Sequence, residues 1–232
     1  MRRAVVVLLL AVPLLVAAGC GGSSGDAADT TAAATTQASS TTTSSSASDG
    51  CTQVAAPAPR ADGGATEPKE RLDPEKTYKL VFKTNCGSFT VTLDQAKAPA
   101  TSASLVSLAK SGFYDDTIFH RIVPGFVIQG GDPTQTGTGG PGYKTVDPPA
   151  SGAKYTEGVV AMAKTQDEPA GTSGSQFFVV TGADIGLPPD YAIVGSVTEG
   201  LDTVRAIGKL GDPTTEQPTQ PVVIESVTVE EQ

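Results

Sequence analysis

The segment Phe119-His120-Arg121-Ile122-Val123-Pro124-Gly125-Phe126-Val127-Ile128-Gln129-Gly130-Gly131-Asp132 constrains this chain more than any other. Two apolar runs, Ile118 to Val123 and Phe126 to Ile128, are broken at Pro124-Gly125. Pro followed by Gly marks a turn, so the segment reads as two strands meeting at a sharp bend. Side chains alternate across a strand, which puts Val127 and Gln129 on one face and Ile128 on the other. Arg121 sits inside the first run, where an unpaired charge is costly to bury. It therefore faces solvent or lines a surface that needs a guanidinium. Alternation places His120 on the face opposite Arg121.

The rest of the folded part is of the same kind. Thr77 to Thr84 and Ser88 to Leu93 are alternating, β-branched runs joined at Asn85-Cys86-Gly87, a hairpin signal. Further strands are expected at Gly158 to Ala163, Gln176 to Thr181, Ala192 to Val197 and Val222 to Val229. Two segments read as helices. Pro99 to Lys110 carries Leu105, Leu108 and Ala109 on one face and ends before Gly112, and Leu201 to Lys209 is shorter. Gly131 to Lys154 reads as a long Gly/Pro loop. Eight strands without βα alternation favour a closed antiparallel barrel or a sandwich.

Several function classes are excluded. The net charge is −9, with no basic cluster in the folded part, which argues against a nucleic-acid partner. The single histidine and the scattered Cys20, Cys51 and Cys86 leave neither a zinc site nor a Ser-His-Asp triad, so no metal is expected. Gly137-x-Gly139-x-x-Gly142 matches a dinucleotide fingerprint only as letters. No strand leads in, and Pro141 stands where a helix would start. A carbohydrate-binding barrel would need an exposed aromatic platform that this chain lacks.

A second stretch, Gly171-Thr172-Ser173-Gly174-Ser175-Gln176-Phe177-Phe178-Val179-Val180, is a Gly/Ser loop running into a strand with adjacent aromatics. Between the two stretches lie Gly137-Thr138-Gly139-Gly140 and Gly158-Val159-Val160-Ala161-Met162-Ala163. In this order and spacing they resemble the cyclophilin family of peptidyl-prolyl cis-trans isomerases, over about residues 77 to 230. The resemblance implies an eight-stranded antiparallel β-barrel capped by two α-helices, and catalysis without a cofactor. Carried over by motif position, Arg121 is the catalytic guanidinium. Phe126, Val127, Phe178 and Leu187 form the proline pocket, Gln129 and Gln176 position the substrate backbone, and Ala163 lies along the groove. Phe177 belongs to the core, because neighbouring strand residues face opposite ways. Met162 is also expected in the core, and His120 reads as structural.

Three positions depart from the family's animal members. Gly186-Leu187 stands where they carry Trp-Leu, Tyr191 takes the place of a histidine, and Lys164 replaces an asparagine after Met-Ala. These changes count against tight binding of cyclosporin-type inhibitors. The implied partners are proline-containing peptides or unfolded chains, met by a monomer. The competing reading is a module that holds proline segments, or shields unfolded chains, without catalysis.

The first third of the chain has a different character. Met1-Arg2-Arg3 precedes an apolar run from Ala4 to Ala18 that is too short for a membrane span of about 20 residues. It ends Val16-Ala17-Ala18-Gly19-Cys20, which resembles a bacterial lipobox. Residues 1–19 are therefore expected as a lipoprotein signal peptide and Cys20 as the acylated N-terminus, anchored at the outer face of the cell membrane. The alternative is ordinary signal cleavage and secretion. Gly21 to Gly50 is almost all Gly, Ser, Thr and Ala, with too few large apolar residues for a core, and reads as a disordered linker. Residues 20–75 form linker and coil, and 76–232 the folded domain. An exported chain meets an oxidising compartment, and with Cys20 acylated two cysteines remain. A Cys51–Cys86 disulfide is expected on that ground, two free thiols being the alternative.

Overall fold

The computed structural model of the protein describes residues 50–232. The expected signal peptide, the expected acylation site Cys20 and the expected linker up to residue 49 lie outside them. The described elements are β1 (Tyr78–Thr84), β2 (Gly87–Leu93), α1 (Pro99–Lys110), β3 (Thr117–Val123), β4 (Val127–Asp132), β5 (Thr145–Val146), β6 (Val159–Met162), β7 (Thr172–Ser173), β8 (Phe177–Val180), β9 (Ile193–Glu199), α2 (Leu201–Gly208) and β10 (Val223–Glu231).

Eight strands close into a barrel in the order β1-β10-β3-β4-β8-β6-β9-β2, every pair antiparallel. Period-two alternation sends Leu80, Phe82, Phe89, Val91, Ile128, Phe177 and Val179 into one interior. Phe82 and Phe89 stack with ring centroids 4.7 Å apart, and Phe119 meets Phe177 edge-on at 6.0 Å. Closure leaves the barrel itself no free edge.

The two helices cover the barrel. Helix α1 begins with Pro99, whose missing N–H costs nothing at that position. Its N-cap, Ala98, offers no side chain to the exposed amides. Asp147 supplies one from the loop, accepting from the Thr101 amide and hydroxyl at 2.7 Å each. Small buried residues, Ala100 to Ser104, let α1 lie close against the strands. Helix α2 buries Val204 and Ile207 and holds its outer face with Arg205, which donates to both Glu157 oxygens.

The long Gly/Pro loop is not wholly irregular. Thr145 and Val146 pair with Ser173 and Thr172 in a two-stranded ladder outside the barrel. The expected strand after Ser175 starts at Phe177, since Gln176 turns its side chain toward the loop. Residues 50–75 carry no helix or strand, as expected of coil, but they are not loose. The segment is bonded to the domain by the Cys51–Cys86 disulfide, both sulfurs buried in the core cluster. Asn85, beside the bridge, donates to the Thr52 and Pro221 carbonyls and accepts from the Val223 amide.

Candidate active site

Arg121 reaches its place through a bulge. Strand pairing runs Phe119↔Gly130 and then Arg121↔Gln129, so His120 is an extra residue on β3. Phe119 and Ile122, three apart, both enter the core, and the two residues between them stay out of it. The opposite-face reading of His120 and Arg121 therefore fails, because strict alternation does not hold here. Both His120 ring nitrogens are buried without a hydrogen-bond partner among the described residues, and the ring lies against Gly137. Burial pushes its pKa down, and Arg121 adds to this, against the pull of Asp132.

The Arg121 side chain is about one-third exposed, at 35%. Its Nε donates to Glu216 Oε2 at 2.6 Å and Nη1 to Gln129 Oε1 at 3.4 Å. Gln129 Nε2 donates onward to Gln176 Oε1 at 3.1 Å, and Gln176 Nε2 to the Gly139 carbonyl at 2.9 Å. A row of amides thus runs from the guanidinium to the Gly-rich loop. That loop is drawn in by Asp132, whose fully buried carboxylate accepts from the Thr134 amide and hydroxyl and from the Gly137 and Gly139 amides.

Beside this polar row lies an apolar slot. Val127, Tyr155, Ala161, Phe178 and Val180 form a second buried cluster, with Phe126, Ala163, Leu187 and Tyr191 half-buried against it. Gln129 on β4 faces the same way as Val127, while Ile128 joins the barrel core, as alternation requires. Phe177 and Phe178 divide in the same manner. Phe178 meets Tyr191 edge-on with centroids 5.6 Å apart. A hollow of about 170 Å³ continues from Gln129 and Ala163 between the Gly137–Gly139 and Lys164–Glu168 loops. A larger one, about 1190 Å³, lies along β2 and β9 and contains none of these residues.

The structure therefore brings together Arg121, Phe126, Val127, Gln129, Ala163, Gln176, Phe178, Leu187 and Tyr191. It also shows neighbours that sequence reasoning missed. Glu216 comes from the loop before β10. Tyr155, at the end of the Gly/Pro loop, donates its hydroxyl to the Tyr191 carbonyl and accepts from the Tyr191 amide. Lys164, noted only as a departure, has a side chain that is 1% exposed; its Nζ donates to Asp190 at 2.7 Å and lies 5.5 Å from the Tyr191 ring centroid. The aromatic at 191 and the Met-Ala-Lys sequence were the available signals, and neither names a partner.

A slot for a compact apolar ring, a cation at its rim and amides for an extended backbone fit a peptide containing proline. The comparisons agree. The family model for cyclophilin type peptidyl-prolyl cis-trans isomerase/CLD matches residues 79–229. Peptidyl-prolyl cis-trans isomerase A of Mycobacterium tuberculosis is 39% identical over 174 residues, covering 67% of this chain and 94% of that protein. Peptidyl-prolyl cis-trans isomerase-like 1 of Gibberella zeae is 37% identical over 161 residues, covering 67% of this chain and 98% of its own. A cyclophilin type peptidyl-prolyl cis-trans isomerase of Cryptosporidium parvum, crystallised in the presence of the dipeptide Ala-Pro, matches with TM-score 0.61 and 31% identity, over 66% of this chain and 98% of that one. Barrel, groove and relatives fall on the same stretch of sequence, and the chain belongs to the cyclophilin family, as a peptidyl-prolyl cis-trans isomerase.

Proposed function

We propose that the enzyme assists the folding of exported proteins by turning over X-Pro bonds in the Phe126–Phe178 slot, with Arg121 stabilising the twisted amide. Rotation about a peptide bond costs about 18–20 kcal/mol because resonance makes the C–N bond partly double. Twisting removes that resonance and leaves a lone pair on a pyramidal prolyl nitrogen. A donor that bonds this nitrogen more strongly in the twisted state than in the planar one lowers the barrier. The reaction breaks no bond and calls for no cofactor. Val127, Phe126, Phe178 and Leu187 receive the pyrrolidine ring, Gln129 and Gln176 hold the flanking backbone, and Ala163 and Tyr191 border the path of the peptide. The observation that carries this reading is the guanidinium held at the edge of the apolar slot, in line with the two glutamines. The Ala-Pro dipeptide of the Cryptosporidium parvum structure supports a proline-containing peptide as substrate here.

The test is cis-to-trans conversion of a short X-Pro peptide, with and without chelator. Arg121→Ala should lose most of the rate while keeping its fold. Wild-type activity in that variant would overturn the role of Arg121. Peptide binding without turnover in the wild type would favour a non-catalytic proline-segment module or holdase.

The proposed site of action is the outer face of the cell membrane, with a monomer tethered by acylated Cys20. The Cys51–Cys86 disulfide supports export, since disulfides persist in oxidising compartments. Mass spectrometry of the mature N-terminus tests the anchor. An unmodified Cys20, or cleavage after it, overturns the tether and leaves a secreted enzyme.

A further inference from the structure

The segment before the barrel touches the loop that the substrate groove depends on. Its Arg60 amide donates to the Pro133 carbonyl at 2.8 Å, and Gln135 Nε2 donates back to the Pro57 carbonyl at 2.9 Å. Both polar groups of Gly140 are taken by the segment. The Gly140 amide donates to Asp62 Oδ1 at 2.7 Å, and its carbonyl accepts from the Gly63 amide at 3.0 Å. Ala65 donates to the Pro141 carbonyl at 3.1 Å. The two backbones meet so closely that a Cβ on Gly142 would sit 3.2 Å from Gly63 Cα. A second hold is Arg60, whose guanidinium lies over the Phe113 ring and donates to the Phe113 carbonyl.

One residue earlier, the loop faces the other way. The Gly139 carbonyl accepts from Gln176, which continues through Gln129 to Arg121. Gly139 and Gly140 are thus bonded on opposite sides, one to the groove and one to the segment. Without the segment, the carbonyl that orients Gln176 rests on a Gly-rich loop whose main remaining anchor is the Asp132 carboxylate. Glycine-rich backbone loses the most freedom on ordering, so an outside brace has the greatest effect there.

We propose that residues 51–65, anchored by the Cys51–Cys86 disulfide, act as a strap that positions the Gly137–Gly140 wall of the groove, with Asp62 as the positioning residue. This extends the working enzyme beyond residues 79–229, which the family model matches. It rests on the proposed use of Gln176 and Gln129 to hold substrate backbone. A strap of this kind changes how well the peptide is held rather than the twisting step, so its effect falls on KM and not on kcat.

The experiment uses the full mature chain. Asp62 is exposed, so its substitution leaves the core intact. Asp62→Ala should raise KM for an X-Pro peptide about three- to tenfold, the value of one hydrogen bond, with kcat within about twofold. Asp62→Asn keeps an acceptor oxygen and should restore most of the loss. A Cys51→Ser, Cys86→Ser double variant should shift KM in the same direction and further. Amide exchange at Gly140 should speed up in the Ala variant in step with KM. Faster exchange at Gly140 with an unchanged KM in both variants would make the strap a cover with no hold on the groove, and would overturn the proposal. Should the wild type bind peptide without turning it over, the proposed function fails. The strap is then judged by peptide Kd, followed through the Gln176 side-chain amide signal, with the same shift expected and the same absence of shift overturning it.

Discussion

The Glu216 carboxylate lies 2.6 Å from Nε of Arg121 and so takes one nitrogen of the guanidinium. Its own backbone is fixed for this. The Ile122 amide donates to the Glu216 carbonyl at 2.8 Å, the Glu216 amide donates to the Asp212 carbonyl at 2.8 Å, and φ at Glu216 is 60°. With Nε occupied and Nη1 directed at Gln129, the fork of the guanidinium has a set orientation.

Glu216→Ala should therefore lower kcat by about 1.4-fold to fivefold, in line with about 0.2–1 kcal/mol for a solvent-screened pair. Glu216→Gln keeps an acceptor and should stay within about twofold of wild type. Arg121→Lys should fall much further, more than about tenfold, because an ammonium cannot serve Glu216 and Gln129 in one geometry. Steady-state turnover of an X-Pro peptide checks all three.

Asp132 should prove the most sensitive polar residue near the groove. Burial pushes its pKa up, but the hydrogen bonds from Thr134, Gly139 and Gly137 outweigh this and hold the carboxyl below its usual range. A depressed folded pKa gives stability that is present above the unfolded value, near pH 4, and is lost as pH falls through the folded one. Urea titrations from pH 5 downward should show that loss. Asp132→Asn sets an amide N–H against two backbone donors and should cost about 3 kcal/mol at pH 7, while removing this part of the acid slope.

His120 makes stability fall with pH in the same direction as Asp132, in a higher pH range. Its folded pKa is lowered by burial, with Arg121 and Asp132 acting in opposite directions. The unfolded chain therefore binds a proton near pH 6.5 that the native one still refuses. The stability is whole above that pH and declines as pH falls toward the folded pKa. Measured between pH 7.5 and 5.5, unfolding free energy should fall in the wild type and stay flatter in His120→Gln.

Lys164 and Asp190 should respond unequally. Lys164 is sealed in, and its ammonium also donates to the Thr165 and Glu168 carbonyls, whereas Asp190 is 40% exposed. Asp190→Ala strands a buried charge and should cost about 1–3 kcal/mol, discounted from the fully buried case. Lys164→Met leaves Asp190 to water and should cost less. Thermal unfolding compares the two, and the near-ultraviolet circular dichroism of the aromatic side chains reports whether their packing is kept.

Regular parts of the fold were legible in the sequence because they repeat. Period two in Thr77 to Thr84 and Val222 to Val229 gives strand and inward face together, and it divides Phe177 from Phe178 and Val127 from Ile128. What failed to show lacks a period. The β5–β7 ladder is two residues on each side and joins Thr145 to Ser173. The bulge at His120 breaks the parity on which a face assignment depends. Glu216 meets Arg121 from a separation of 95 residues, Asp147 caps α1 from 46 residues away, and nothing local marks either pair. Arg121 itself stood out because a cation inside an apolar run needs a reason.

The disulfide also governs how the domain carries a load. Tension applied at residue 50 passes through Cys51 directly into Cys86, so residues 52–85 lie off the line of force and stay slack. The pull arrives at the tip of the β1–β2 hairpin, where β1 is stitched on one side to β2 and on the other to β10. The strap can therefore keep its hold on Gly140 while the protein is dragged from its N-terminal end. Were the bridge opened, the same tension would run through residues 52–76 and strip the contacts at Asp62 and Gly63 before it strained the barrel.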